Sequence, residues 1–263
     1  MNFPLVSVII NCHNGEKYLS KCVKSVSNQT YKNWEIVFWD NCSTDNSKKI
    51  VKSFKDKRIK YFKNNIFTSL YAARNLAIKK TKGDYVAFLD TDDWWHKKKL
   101  QKQIDLIKLS NDPKIIYSNV YIVQQNKGVK RLFQKGDLPS GSITQKLLND
   151  YKVGLLTILV KKEIFKKANF NENYNIIGDF DFILRLSIKT KFFCVQEPLA
   201  FYRIHDENLF KKGIKLYINE LKDWLKKNNS YYKKRGYSLF MIKALYYKLV
   251  LKRTFQFFFK KVF

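Results

Sequence analysis

Over the first hundred residues, short apolar runs alternate with stretches whose apolar positions recur every three or four residues. Residues 5–10 are a β-branched run and predict a buried strand. Residues 18–27 carry helical spacing, 35–39 a second strand, 45–54 a second helix and 59–62 a weaker third strand. Residues 70–78 predict a helix, with Ala72, Ala73, Leu76 and Ala77 on neighbouring turns, and 85–89 a fourth strand. A β-α-β-α-β-α-β order predicts a parallel sheet with helices on both faces. Right-handed crossovers bring the C-terminal ends of such strands to one edge, where open α/β sheets bind ligands. Polar residues cluster at those ends, at 11–14, 40–45 and 90–93. Three distant clusters are thereby predicted to meet on one rim.

The middle is less regular. Residues 115–123 and 155–160 read as strands, 124–142 as a polar loop and 162–167 as a short helix. A helix is predicted over 180–188, beginning near Asp179, with extended chain over 192–202. From 207 onward there are 15 Lys and Arg against 3 Asp and Glu, and the end, RTFQFFFKKVF, interleaves aromatics with cations. The expected organisation is an α/β domain over 1–206 and a basic, aromatic, helical extension over 207–263. Within the domain, 1–95 is the expected ligand-binding half. A chain of 263 residues can bury such a core without disulfide or metal.

Composition narrows the function classes. The formal net charge is +29, which suits nucleic acid, an anionic membrane face or a Lys-rich genomic bias. No nucleic-acid-binding signature accompanies it, so a specific nucleic-acid partner is not expected. Cys12, Cys22, Cys42 and Cys194 form no CxxC pair, which argues against zinc and suits a reducing cytoplasm. The start, MNFPLVSVII, lacks the pattern of a signal peptide, and no apolar run is long enough to span a bilayer.

The chemistry concentrates in FLDTDD, where Asp90, Asp92 and Asp93 follow a strand. Like charges at ~4 Å repel by about 1 kcal/mol in bulk water and by about 4 kcal/mol at an effective dielectric of 20. A divalent cation relieves that repulsion, and Mn²⁺ or Mg²⁺ suits a few carboxylates plus substrate phosphates. A solvated acidic turn is the bland alternative. In EIVFWDNCSTD, Asp40 stands where a strand stops, poised to accept hydrogen bonds from a sugar or base. Ser43, Thr44 and Asp45 suit helix capping.

The segments VSVIINCHNGEKYL, EIVFWDNCSTDNS and AARNLAIKKTKGDYVAFLDTDD resemble the nucleotide-binding half of family 2 glycosyltransferases with the GT-A fold. The resemblance is close over 4–95 and resumes at GDFDFILRL and FYRIH. It implies an inverting, metal-dependent transferase that takes a nucleotide-sugar donor, a UDP-sugar foremost. Residues 96–206 would then be the acceptor-binding half. Asn11 and His13 fall where the family contacts the base, Asp40 where it holds uracil and ribose, and Arg74 near base and diphosphate. Asp90-Thr91-Asp92 matches the DxD metal motif, with Asp92 the foremost ligand. Asp179 matches the general base, and Arg203 and His205 an Arg-x-His element near diphosphate and metal. Each also has an ordinary reading: ion pairing for Arg74, packing for His13, helix capping for Asp179, an exposed loop for His205. Trp94 and Trp95 could line a sugar pocket or pack.

The chain departs from the family pattern after the first strand, where the common Pro-Thr-Tyr-Asn is Asn11-Cys12-His13-Asn14, and at two later positions. His13 replaces the usual Tyr, Asn41 a second acid, and Gly178 the usual Glu before the base. The resemblance further implies a glycan or lipid-linked glycan acceptor in bacterial surface polysaccharide or lipooligosaccharide synthesis. The tail suits either peripheral attachment to an anionic inner membrane leaflet or packing on the domain. A catalytically inactive sugar-binding relative and, further off, a basic nucleic-acid-binding protein are the rival classes.

Overall fold

Seven-residue strands β1 (Val6–Cys12) and β2 (Trp34–Asp40) are buried along nearly their whole length. Parallel strands covered on both faces need such near-continuous apolar runs. They belong to a computed structural model that describes residues 3–110, 112–124, 127–206 and 213–262, with side chains through 253. The first half continues with α1 (Glu16–Ser27), α2 (Ser47–Ser53), β3 (Ile59–Lys63), α3 (Leu70–Ile78), β4 (Tyr85–Phe88) and β5 (Trp94–Trp95). The second contains α4 (Lys99–Leu109), β6 (Ile115–Gln124), β7 (Val129–Leu132), α5 (Thr144–Asn149), β8 (Leu159–Lys161), α6 (Gly178–Lys189), β9 (Phe192–Ile204), α7 (Ile214–Lys233) and α8 (Phe240–Val262).

Alternate strand residues serve different layers. Ile9, Val37, Trp39, Val86 and Phe88 face α3, α5, α6, α7 and the start of α8. Val8, Ile10, Ile36, Phe38 and Ala87 face α1, α2 and α4. Each such buried side chain contributes about 1.5–3 kcal/mol relative to exposure. The strand order is β3-β2-β1-β4-β8-β6-β9-β5, with β7 paired to β6. β1 pairs parallel with both β2 and β4, and β2 with β3. The α/β sheet with helices on both faces is as expected, but it is parallel only through β4. β8 runs antiparallel to β4 and β6, while β6 and β9 are parallel.

Several elements differ from the sequence expectation. The expected strand over 155–160 is a 3₁₀ turn, Leu155–Thr157, followed by the three-residue β8. The expected loop over 124–142 contains the exposed strand β7. Helix α4 carried no clear helical pattern because polar side chains sit on its inner face. Lys99 and Gln103 are fully buried there, and the ammonium donates to Gln103 Oε1 at 2.8 Å over the Trp95 ring. The tail packs onto the domain through α7 and the start of α8, since Leu221, Trp224, Tyr232, Leu239 and Ile242 share the core of α3 and α6. Phe257–Phe259 lie beyond the described side chains, and 207–212 outside the described residues. Among the described residues no helix is long and apolar enough to cross a membrane.

Candidate active site

Parallel register brings the polar clusters together. Asn11 pairs with Trp39 and Cys12 with Asp40, so the loops after β1 and β2 leave the sheet side by side. Leu89 N–H donates to the Ile9 carbonyl at 3.0 Å, which sets Asp90 beside Asn11. The β1 loop turns at Asn14, with φ at 53°, a conformation asparagine tolerates better than most residues. Asn14 Oδ1 in turn accepts from Thr44 N–H at 2.8 Å.

A cleft of about 1040 Å³ opens along this rim. Asn11, His13, Arg74, Asp90, Asp92 and Asp179 all line it. The His13 Nδ1 lies 2.9 Å from the Asn41 carbonyl. A carbonyl only accepts, so Nδ1 carries the proton. The His13 ring meets Phe67 edge-on at 4.7 Å, and Phe67 is exposed. No motif pointed to Phe67, whose loop is held by Asn41. Asn41 Oδ1 accepts from Thr68 N–H and Oγ1–H, and its Nδ2 donates to the Thr68 carbonyl at 2.8 Å. An acid in place of Asn41 would lack that donor. The buried Nδ2 of Asn11 and Nε of Arg74 have no hydrogen-bond partner among the described residues.

Asp40 is placed differently from the expectation. It is 1% exposed and does not line the cleft. Its Oδ1 accepts from Ser43 N–H at 2.7 Å and its Oδ2 from the Tyr61 hydroxyl. The side chain therefore shapes the loop beneath the cleft.

The acidic run divides its work. Asp90 accepts from Arg74 Nη2 at 2.7 Å. Asp92 Oδ2 lies 2.9 Å from His205 Nε2. Asp93 is buried and accepts the Arg203 backbone N–H at 2.8 Å. Burial pushes the Asp93 carboxyl well up, and the neighbouring charges of Asp92 and Asp90 add to it. Burial and Asp90 also raise Asp92, against the pull of the His205 hydrogen bond. The Arg203 side chain donates from Nε to the Asp92 carbonyl at 2.7 Å and stacks between Tyr18 and Trp94. Neither Arg203 nor His205 lines the cleft; both brace the acidic turn. Trp94 and Trp95 pack: Trp94 stacks on Phe201, and Trp95 donates to the Leu156 carbonyl at 2.9 Å.

Asp179 lies in the first turn of α6. Its Oδ1 accepts from Phe180 N–H at 2.8 Å and faces the Tyr71 hydroxyl at 3.4 Å. Burial raises its carboxyl above the usual carboxylate range, while the Arg74 charge and the Phe180 N–H pull it back. Arg74 itself is buried; burial opposes its charge, but Asp90, Tyr71 and Asp179 more than offset that and hold it firmly protonated. One guanidinium thus lies between the acidic turn after β4 and the acid that opens α6.

Helix α7 supplies a residue that no motif announced. Glu220 is 6% exposed, and its Oε1 accepts from Asn175 N–H at 2.7 Å. Its Oε2 accepts from Ile176 N–H at 3.0 Å and Ile177 N–H at 3.1 Å. The carboxylate pins the turn entering α6, where helix N–H groups lack intrahelical partners and negative charge is favoured. Beside it, Asp181 accepts from Trp224 Nε1 at 3.0 Å and from Arg185 Nε at 2.8 Å. Gly178 has a packing reason: a Cβ there would lie 2.4 Å from Cε2 of Tyr71.

The donor set suits a hard divalent cation. Asp92 and His205 meet, and Asp90 stands two residues away on the same turn. Among the described residues no three His, Cys, Asp or Glu side chains form a ready metal cluster, so substrate oxygens would have to complete the shell.

Comparison with known proteins agrees with this geometry. Residues 7–183 match the model of the family described as Glycosyl transferase family 2. Over 188 residues the chain is 34% identical to UDP-Glc:alpha-D-GlcNAc-diphosphoundecaprenol beta-1,3-glucosyltransferase WfgD of Escherichia coli, covering 72% of this chain and 71% of that protein. The crystal structure of S. aureus TarS 1-349 in complex with UDP superposes with a TM-score of 0.66 at 20% identity, over 82% of this chain. The mannosyltransferase PcManGT from Pyrobaculum calidifontis, in complex with GDP-Man and Mn2+, superposes with a TM-score of 0.63 at 13% identity, over 86% of this chain. The chain spans 65% of each of those two solved chains, just under two thirds, and the likeness establishes a shared fold.

Proposed function

The chain belongs to glycosyltransferase family 2, and from that premise we propose that it moves a sugar from a UDP-sugar to a glycan acceptor with inversion at the anomeric carbon. The observation that carries this reading is the shared cleft wall. Asp179, Arg74, Asp90 and Asp92 line one cavity, with Arg74 paired to Asp90 and close enough to Asp179 to lower its proton affinity.

An acceptor hydroxyl is a poor nucleophile until its proton has a destination. Asp179, ionised, takes that proton as the hydroxyl oxygen attacks the anomeric carbon. The new carbon–oxygen bond forms on the face opposite the bond to the diphosphate, whose electron pair leaves with the diphosphate oxygen. Arg74 balances the charge that grows there. Asp92, Asp90 and His205 would hold Mn²⁺ or Mg²⁺; when bound, the cation supplies Lewis-acid stabilisation of the same diphosphate. Coordination by His205 would take the place of its hydrogen bond to Asp92. Asn11 and His13 meet the base, with the exposed Phe67 ring widening a surface that His13 alone makes small. Asp40 and Arg203 act at one remove, by fixing the loops that carry the contacting groups.

The acceptor is proposed to be a glycan on a lipid carrier, in synthesis of a bacterial surface polysaccharide. The Escherichia coli relative, by its name, acts on a diphosphoundecaprenol-linked sugar. With a nucleotide donor and a lipid carrier, the enzyme is proposed to work at the cytoplasmic face of the membrane, attached peripherally through its C-terminal segment.

The direct test is Asp179→Asn, assayed by transfer from UDP-sugars and by nucleotide binding. Removing a general base is expected to cost roughly 10²–10⁴-fold in rate while UDP binding persists. Unchanged turnover would remove Asp179 from the mechanism. A wild-type protein that binds UDP but transfers nothing would instead favour the inactive relative.

A further inference from the structure

Helix α8 presents three distinct faces along its described side chains. Ile242, Tyr246 and Leu249 pack against the core. Met241, Leu245 and Lys248 line the same cleft as Asp179. Ala244 lines it too. Phe240, Tyr247 and Leu251, at helical spacing, form an outer stripe; Phe240 is 72%, Tyr247 62% and Leu251 59% exposed. The helix sequence contains no acidic residue, and Lys243, Lys248, Lys252 and Arg253 form no salt bridge among the described residues.

An apolar stripe flanked only by cations is complementary to an anionic bilayer and to little in bulk water. The adjoining face opens into the cleft, so one helix borders both the lipid surface and the reaction chamber. Lys248 is the cation on that adjoining face. Among the described residues its ammonium makes no hydrogen bond or salt bridge, which leaves its three N–H donors for an incoming anion.

We infer that α8 seats its Phe240–Tyr247–Leu251 stripe on an anionic lipid surface and that Lys248, on the next face, receives the phosphate of an acceptor carried in that surface. The inference rests on the transferase reading only for the identity of the cleft. Docking then does more than concentrate the enzyme. It sets the cleft mouth at headgroup level, where a diphosphate lies and the glycan beyond it can reach Asp179.

The test uses the full chain and three probes: phosphatidylglycerol–phosphatidylcholine vesicles, farnesyl diphosphate and inorganic diphosphate. UDP binding with Mn²⁺ is followed in parallel as a gauge of the donor site. The wild type is expected to float with the anionic vesicles, and Tyr247→Ser/Leu251→Ser to lose at least tenfold in vesicle affinity. Lys248→Gln is expected to float like wild type yet bind farnesyl diphosphate at least fivefold more weakly, measured with UDP and Mn²⁺ saturating. Inorganic diphosphate should bind more weakly than farnesyl diphosphate, which separates a carried phosphate from a free one. Equal flotation of the stripe variant, or no wild-type flotation, overturns the surface assignment. Equal farnesyl diphosphate affinity in Lys248→Gln overturns the phosphate role. If UDP fails to bind the wild type, the transferase reading falls, whatever the vesicles report. All substituted residues are exposed or line the cleft, and unchanged thermal unfolding verifies that each variant folds.

Discussion

At the scale of single residues, the proposed base Asp179 is tuned by two opposing influences. Burial raises the Asp179 carboxyl and Arg74 pulls it down. Transfer needs the ionised form, so activity falls as pH drops through the raised value, and the acid limb of kcat/KM should lie above the ordinary Asp value of about 3.9. Arg74→Gln removes the cation and frees Asp90, whose charge also raises Asp179. The acid limb should therefore move to higher pH; a limb that stays or moves down contradicts the assignment. Glu220 works through the backbone. Glu220→Ala leaves three N–H groups without an acceptor at a buried turn and should cost about 3 kcal/mol in urea unfolding. Glu220→Gln retains one acceptor oxygen and should recover part of that loss. If Glu220 positions the base, kcat should fall further than KM rises in both variants, and Gln should rescue kcat along with stability. Motif reading singled out Asp179, which lines the cleft, because its neighbours GDFDFILRL are local. It missed Glu220 because the three N–H groups it holds lie 43–45 residues away in sequence.

Among elements, the contact of α3 with α6 decides the shape of the cleft. Tyr71 stacks on Phe170, and its hydroxyl donates to the Ile176 carbonyl at 2.9 Å. Its ring occupies the space where a side chain at 178 would go. Gly178→Ala should destabilise by about 1–3 kcal/mol, because overpacking forces either the ring or the helix to shift. Gly178→Glu, which restores the family's usual acid, should be worse than Ala and should not raise activity. A thermal melt and a transfer assay on both variants would check this. The departure at 178 is thus compensated at 71, a pairing that sequence spacing does not reveal. The boundaries of α3 were legible to the residue, because its apolar side chains repeat on one face and Ser69 caps it through Ala72 N–H. Helix α4 was not, because Lys99 and Gln103 satisfy each other on the buried face.

At the scale of the whole molecule, a net charge of +29 contrasts with a cleft lined by Asp90, Asp92, Asp150 and Asp179 against Arg74 and Lys248. That contrast favours anionic ligands outside and a cation within. UDP with Mn²⁺ at about 100 times its Kd should stabilise the fold by about 2.7 kcal/mol. For a domain of this size that corresponds to a rise in Tm of about 5–10 °C. Chelation with EDTA should abolish most of the shift, and a metal-independent shift would remove the acidic turn from nucleotide binding. Non-specific nucleic-acid binding at low salt is also expected from +29, and it should fade steeply as salt rises.

The order of strands and helices through β4, the rim that joins their ends and the acids at 90, 92 and 179 followed from the chain itself. Periodicity and strand-end chemistry are local properties, and parallel register converts them directly into proximity. Other features were settled only by three-dimensional packing. Asp40 became a loop support because Ser43 and Tyr61 take both of its oxygens. Arg203 became a brace behind the acidic turn, His205 came to rest against Asp92, and the tail became a cleft wall through α8. Those outcomes depend on which buried polar groups find partners across the sheet, and such pairing leaves no repeat in the sequence.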